Sequence, residues 1–334
     1  MTKPFDPIGF ARALINIDST TGREAEAGAW LARALEEMGY SVVEQPLARG
    51  CSNVIAALDA PEVVFSTHYD CVPPHFSSRV DGGRLYGRGA CDAKGILAAQ
   101  LGAAERLRAE GERRIGLLFV AGEERGSDGA QAANAVAPGS RFLINGEPTE
   151  SRLGSATRGV LRVRLRAEGR AAHSAIPERG ESAIDKLIDA LLRLRSIELP
   201  FDPELGRTFY SVGLIEGGIA PNVISPHASA ELLFRTTGAP DDILRVLADL
   251  EPLVSVQEVL RVPTVKLHTV PGFATEVFPF TTDVPLLDRW GVPLLFGPGS
   301  ILVAHTDEEH VAIAELEGAI DTYARLAREC LASG

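Results

Sequence analysis

The chain has 334 residues, 45% of them hydrophobic and 6% aromatic, with a formal net charge of -12. That composition is of a folded globular protein and not a disordered one, and the acidic balance, with no Lys/Arg-rich run, excludes a nucleic-acid footprint. No stretch nears the roughly 18 apolar residues of a membrane span, and the opening MTKPFDPIGF holds no apolar signal core, so a cytoplasmic location is expected.

In chain order, residues 23–38 read as a helix. Ala27, Leu31, Leu35 and Met38 recur at steps of three and four, and Gly39 is a natural stop. Residues 41–43 and 53–58 read as strands. Residues 63–67 (VVFST) form a short, nearly all-apolar strand of the kind buried on both faces. A helix is predicted over 94–108, a buried strand over 115–120, a small-residue helix over 129–136 and a strand over 142–144. Strands alternating with helices argue an α/β sheet with parallel pairs.

The pattern changes near residue 158. Residues 160–167 alternate, with Arg162, Arg164 and Arg166 on one face. A helix over 182–194, strands over 209–214 and 228–236, a helix over 241–250 and a strand over 254–262 complete a β-α-β-β-α-β series, the split ferredoxin-like order. The first style then returns, with a strand over 290–296 and a helix over 308–331. The expected fold is therefore α/β: a mixed, largely parallel sheet flanked by helices, formed by residues 1–157 and 266–334, with an inserted ferredoxin-like α+β domain over 158–265.

Chemistry-bearing side chains stand where strands should end, the place where open α/β sheets put their ligands. His68 and Asp70 follow the strand that ends at Thr67. Glu123 and Glu124 follow the strand that ends at Val120. Glu147 lies three residues past Ile144, while Asp92 and His305 each precede a helix. Two imidazoles and several carboxylates suit two divalent metal ions and an activated water. Each piece alone has a commoner reading. Asp92 is a good helix N-cap, a Glu-Glu doublet is usually a solvated patch, Glu147 before Pro148 suits a turn, and His305 suits a satisfied core position. Cys51, Cys71, Cys91 and Cys330 show no C-x-x-C spacing and read as buried free thiols.

The set and its order resemble the M20 family of co-catalytic metallopeptidases and amidohydrolases. The matching blocks are STHYDCVPP (66–74), LYGRGACDAKG (85–95), AGEERGSDGA (121–130), NGEPTE (145–150), RAAHSAIPERGESAI (170–184) and AHTDEEH (304–310). The resemblance implies a zinc-peptidase-like catalytic domain with two divalent ions, zinc first and cobalt or manganese as substitutes. It implies His68 and Glu147 on one ion, Glu124 and His305 on the other, and Asp92 bridging both, with the peptide bond after Asp92 often cis. Asp70 would orient His68, and Glu123 would be the general base toward a metal-activated water. In the inserted domain His173 would give an oxyanion contact, often across a dimer interface, while Asn222 and Arg235 would hold the substrate, Arg235 through a free α-carboxylate. Ser225 stands where the family usually has proline, which loosens the Asn222 assignment. Glu147, in place of Asp, resembles the deacylase and carboxypeptidase members more than the aminopeptidases.

The expected reaction is hydrolysis of the amide of an N-acyl amino acid, of the acetylornithine deacetylase or succinyl-diaminopimelate desuccinylase type. A carboxypeptidase or dipeptidase of the same family is the alternative, and an inactive binding homologue the lesser one. Expected partners are a small N-acyl amino acid or short peptide, with no nucleic acid and no membrane. A homodimer through the inserted domain, across its edge strand at 209–214, is the expected assembly.

Overall fold

The computed structural model describes residues 4–333. The chain divides into two compact units, the first made of Met1–Ser155, Leu267–Glu276 and Thr282–Gly334, the second of Ala156–Lys266 with Val277–Thr281.

The first unit is built on a six-stranded sheet. Its spatial order is Ser41–Pro46, Ser52–Ala57, Ile115–Val120, Val63–His68, Phe142–Asn145, Val292–Leu295. The first two strands join antiparallel and the last four pair in parallel, so the sheet is mixed and largely parallel. Every residue of Val63–His68, Ile115–Val120 and Phe142–Asn145 is buried. Because side chains alternate along a strand, one run feeds two cores. Val63, Phe65, Leu117, Phe119 and Ile144 face a cluster with Leu97, Leu101, Leu316 and Tyr323 from the helices Lys94–Ala109 and Ile313–Ala332. Val64, Leu118, Val120 and Leu143 face Ala130, Ala133, Leu287 and Trp290 on the other side, where the Trp290 indole N–H donates to the Ala133 carbonyl at 3.0 Å.

Several elements depart from the sequence expectation. A helix, Pro7–Ile15, opens the chain, capped by Asp6, whose carboxylate accepts the Gly9 N–H at 2.9 Å. A hairpin, Arg79–Asp81 with Arg84–Tyr86, turns on Gly82 and Gly83, both at positive φ, the pair that a tight two-residue turn favours. The last helix starts at Ile313 and not at 308, because His310–Ala312 pairs antiparallel with Arg84–Tyr86 as a third strand.

The second unit is a four-stranded antiparallel sheet in the order Phe209–Gly217, His227–Thr236, Gly159–Glu168, Ser255–Val262. With the helices Ala183–Ser196 and Pro240–Ala248 it makes the ferredoxin-like arrangement. Leu161, Val163, Leu165 and Ala167 pack on Leu187, Ala190, Leu194, Ile243 and Leu247. Their alternates Arg162 and Arg166 are exposed, while Arg164 reaches across to Glu231, its partner in register, with Nε to Oε1 at 2.9 Å. All four cysteines are free and buried. No described helix is long and apolar enough to cross a membrane.

Candidate metal centre

The parallel pairing brings the carboxyl ends of Val63–His68, Ile115–Val120 and Phe142–Asn145 to one edge of the sheet. His68 is the last residue of its strand. Its Nδ1 lies 2.9 Å from the Asp70 carbonyl oxygen and 3.6 Å from Asp70 Oδ1. Both neighbours only accept, so Nδ1 carries the hydrogen and Nε2 faces Asp92 Oδ1 at 2.9 Å. Asp70, fully buried, puts its carboxylate chiefly to another use. Oδ1 and Oδ2 accept the Glu123 and Glu124 backbone N–H groups, both at 3.2 Å. It thereby joins the histidine loop to the glutamate turn.

That turn depends on Gly122, which sits at φ 86°, where a Cβ would run into Asp128 and Arg49. Arg49 holds Asp128 by two bonds, of 2.9 and 3.2 Å, and Asn53 takes the Ala121 N–H at 3.2 Å while donating to the Gly129 carbonyl at 2.8 Å. Glu123 and Glu124 open the short helix Glu123–Gly126 from this frame. His305, itself at φ 63°, points Nε2 at Glu124 Oε1 (3.0 Å) and at Asp92 Oδ2 (3.3 Å). Asp92 therefore offers one oxygen to each imidazole. The Asp92–Ala93 peptide is cis.

Ligand atoms of His68, Asp92 and Glu124 lie within 4.8 Å of one another, and His305 Nε2 reaches the Asp92 and Glu124 carboxylates. The electrostatics fit a cation. Burial opposes charge on His68, yet Asp70 and Asp92 raise it well above its ordinary value. Hydrogen bonds to Asp92 and Glu124 push His305 up to about 10. Burial would raise Asp92, but the two imidazoles hold it below the usual carboxylate range. Burial pushes Glu123 and Glu147 well above theirs, and neighbouring carboxylates add to it. So many buried carboxylates around two imidazoles form a donor set of nitrogen and oxygen that divalent ions suit.

Sequence reasoning missed three residues here. Asp283 is buried, raised to about 6 by burial, with Oδ1 lacking a hydrogen-bond partner, and its charge acts on Glu123 and Glu147. Arg88 and Glu309 form a buried ion pair at 2.6 Å. Both stood inside the quoted blocks, but a single charge in a loop looks solvated until its burial is known. The other predicted residues belong to the second unit. His173 is exposed and accepts the Ala175 N–H on Nδ1 at 3.1 Å. Asn222, also exposed, stands on a second loop, between the strands Phe209–Gly217 and His227–Thr236, and its carbonyl accepts the Ser174 N–H at 3.0 Å. Ser225 is a local tie, accepting the Gly218 N–H at 3.1 Å and donating to the His227 carbonyl at 2.8 Å. Arg235 is half-buried on the strand His227–Thr236, with no carboxylate in ion-pair range among the described residues.

Imidazoles and carboxylates converging at the carboxyl edge of a largely parallel sheet define a metal-dependent hydrolase of amide or peptide bonds. Comparison places that class in a family. The model of peptidase family M20/M25/M40 matches residues 64–329, and the chain belongs to that family. A protein of Aspergillus clavatus named "Probable carboxypeptidase" is 35% identical, the match covering 97% of this chain and 82% of that one. Among solved structures, the aminopeptidase PepT of Bacillus cereus superposes with a TM-score of 0.82 at 20% identity, covering 97% of this chain and 98% of that one. The YXEP protein of Bacillus subtilis, described as a dinuclear metal binding peptidase of the M20 family, does so with a TM-score of 0.74 at 19% identity, covering 96% of each chain. The names of the curated relatives favour the carboxypeptidase side of the alternative over the N-acyl amino acid deacylase expected from the sequence.

Proposed function

We propose that this chain is a two-metal carboxypeptidase or dipeptidase that cleaves the peptide bond beside a free α-carboxylate. The observation that carries the metal part is Asp92, whose two oxygens each face a different imidazole, His68 at 2.9 Å and His305 at 3.3 Å. The curated relatives' name supports the choice of peptide over N-acyl substrate. His68 and Glu147 would hold one ion, Glu124 and His305 the other, and Asp92 both. Zinc suits this imidazole and carboxylate set, with cobalt or manganese as replacements. When bound, the ions supply the Lewis acidity that lets water attack an amide carbonyl near neutral pH. Glu123 takes the water's proton on its carboxylate and delivers it to the departing amine nitrogen. A carboxyl raised by burial is matched to that double duty. Asp70 sets the register of Glu123 and Glu124 through their backbone N–H groups.

In the second unit, Arg235 is the proposed partner of the substrate carboxylate, because a half-buried guanidinium without a carboxylate is matched to one. Asn222 and His173, on two loops joined by the bond from the Ser174 N–H to the Asn222 carbonyl, are proposed as contacts to the substrate backbone and to the developing oxyanion. We also propose a homodimer through the strand Phe209–Gly217. One edge of this strand has no partner among the described residues, and Leu214 and Ile215 on it are 58% and 62% exposed.

The test is a substrate panel with the zinc- and cobalt-loaded protein. It comprises dipeptides and tripeptides with free or amidated C-termini, and N-acetyl and N-succinyl amino acids. Free-carboxylate peptides should be cleaved at their last bond, and amidation should abolish turnover. Faster turnover of N-acyl amino acids than of any peptide would return the deacylase reading. Release of the first residue from amidated tripeptides would make the protein an aminopeptidase and end the proposal.

A further inference from the structure

Glu309 is wholly buried, and its one carboxylate takes four hydrogen bonds. Oε1 accepts the backbone N–H groups of Gly89 at 2.9 Å, Cys91 at 3.1 Å and Asp92 at 3.1 Å, and Oε2 accepts Arg88 Nη1 at 2.6 Å. Arg88 is as deeply placed, at 1% exposure. Its Nε donates to the Pro74 carbonyl at 3.1 Å, and its guanidinium lies 5.0 Å from the centre of the Phe76 ring. The run Asp307-Glu308-Glu309 suggests a solvated acidic patch, and the side chain of Glu308 is indeed 77% exposed. Its neighbour is the opposite case.

What the carboxylate holds is the stretch 87–92, between the strand Arg84–Tyr86 and the helix Lys94–Ala109. That stretch is not part of either element, and at its end stands Asp92. Packing against it is close, since Gly95 has no room for a Cβ beside the Ala90 carbonyl. Glu309 lies four residues after His305 in the same segment. It therefore ties the backbone that carries one imidazole to the backbone of the carboxylate that this imidazole faces. A buried ion pair is weak evidence for a stabilising role, because desolvation offsets most of the attraction. A charge spent on three converging N–H groups, one of them that of Asp92, is evidence for a positioning role.

We propose that Glu309, braced by Arg88, is a positioning residue that fixes Asp92 relative to His305 and so sets the affinity for the ion that Asp92, Glu124 and His305 would share. The inference rests on the two-metal reading. Glu309→Gln keeps the shape and a carbonyl acceptor for the N–H groups but turns a donor toward Arg88 or strands it. The pair Arg88→Met with Glu309→Gln removes that conflict and leaves the acceptor in place.

The measurement is zinc binding by competition with a chromophoric chelator, below the melting midpoint of each metal-free protein as read by circular dichroism. Turnover is followed in parallel. Wild type should bind two equivalents. Glu309→Gln should bind one of them on the order of 10–100-fold more weakly, with a fall in kcat of similar size. The pair variant should recover most of the loss, and it also carries the test if the single variant does not fold. Wild-type affinity for both ions in folded Glu309→Gln overturns the proposal. So does an equal loss at both ions that tracks a lowered melting midpoint and is not recovered in the pair. Wild-type protein that binds fewer than two equivalents overturns the two-metal reading itself, which keeps the two failures apart.

Discussion

The two largest sheets of this molecule solve burial in opposite ways. In the first unit Val63–His68, Ile115–Val120 and Phe142–Asn145 are covered on both faces. These three strands leave no face for chemistry, so the reactive side chains collect where they end. In the second unit His227–Thr236, and Gly159–Glu168 from Leu161 onward, bury alternate residues. This sheet keeps an open face and an open edge, and its polar groups are spread along it. The difference separates two jobs. A sheet buried on both sides fixes the few atoms that its ends present, whereas a one-sided sheet offers surface.

The sharpest way to break that comparison is Glu123→Gln. If rate depends on a proton acceptor held at a strand end, the variant keeps size and packing but loses the base. The expected fall in kcat is roughly 10²–10⁴-fold, or about 3–5 kcal/mol, with KM and metal content little changed. Steady-state kinetics on metal-loaded protein with the best substrate of the panel checks this. Full turnover in Glu123→Gln would show that the crowded strand end is not where the proton is handled.

A second outcome concerns pH. His305 is pushed up to about 10, and His68 is also raised. A group with a raised pKa keeps its proton until the pH climbs through that value, so near neutrality the metal-free site is protonated. A divalent ion must displace those protons, and its apparent affinity should rise with pH, by about tenfold per pH unit for each proton released. Calorimetric titration in buffers of different ionisation enthalpy counts the protons directly. Uptake without proton release, or affinity that falls as pH rises from 6 to 8, would contradict the hydrogen bonding drawn around Asp92.

How much of this could be read from the chain depends on the kind of signal. Continuous apolar runs such as VVFST and the three-and-four spacing of Leu97, Leu101, Ala104 and Leu107 marked the elements of the first unit, because burial on both faces leaves little ambiguity. Strand ends marked His68, Glu123, Glu124 and Glu147. The hairpin at Gly82-Gly83 was missed because its strands are only three residues each, too short to show a period. Asp70 was read as the partner of His68, yet its carboxylate chiefly serves two N–H groups on another loop. Arg88, Asp283 and Glu309 were invisible as site residues, since what sets them apart is burial, and burial of a lone charge is a tertiary fact. The choice between peptide and N-acyl substrates is not legible in the sequence, because short blocks such as NGEPTE are too small to specify a pocket.

The smallest effect tests the other half of the comparison. On the outer strand Phe209–Gly217 nearly every residue is exposed, and the ladder bends between Val212 and Leu214. Leu232, which pairs with Val212 on the neighbouring strand, is fully buried. Leu214→Ser with Ile215→Ser should change stability within about 0.5 kcal/mol each, because these side chains leave little water-free surface in the single chain. Leu232→Ala should cost about 2–5 kcal/mol by opening a cavity. Denaturant unfolding compares the two in dilute protein, and light scattering with chromatography reports the assembly. If Phe209–Gly217 is the seam of a dimer, the double serine variant should run as a monomer while remaining as stable as wild type at low concentration. A variant that stays dimeric would move the seam elsewhere. A variant that unfolds would show that the open edge carries packing that its exposure does not reveal.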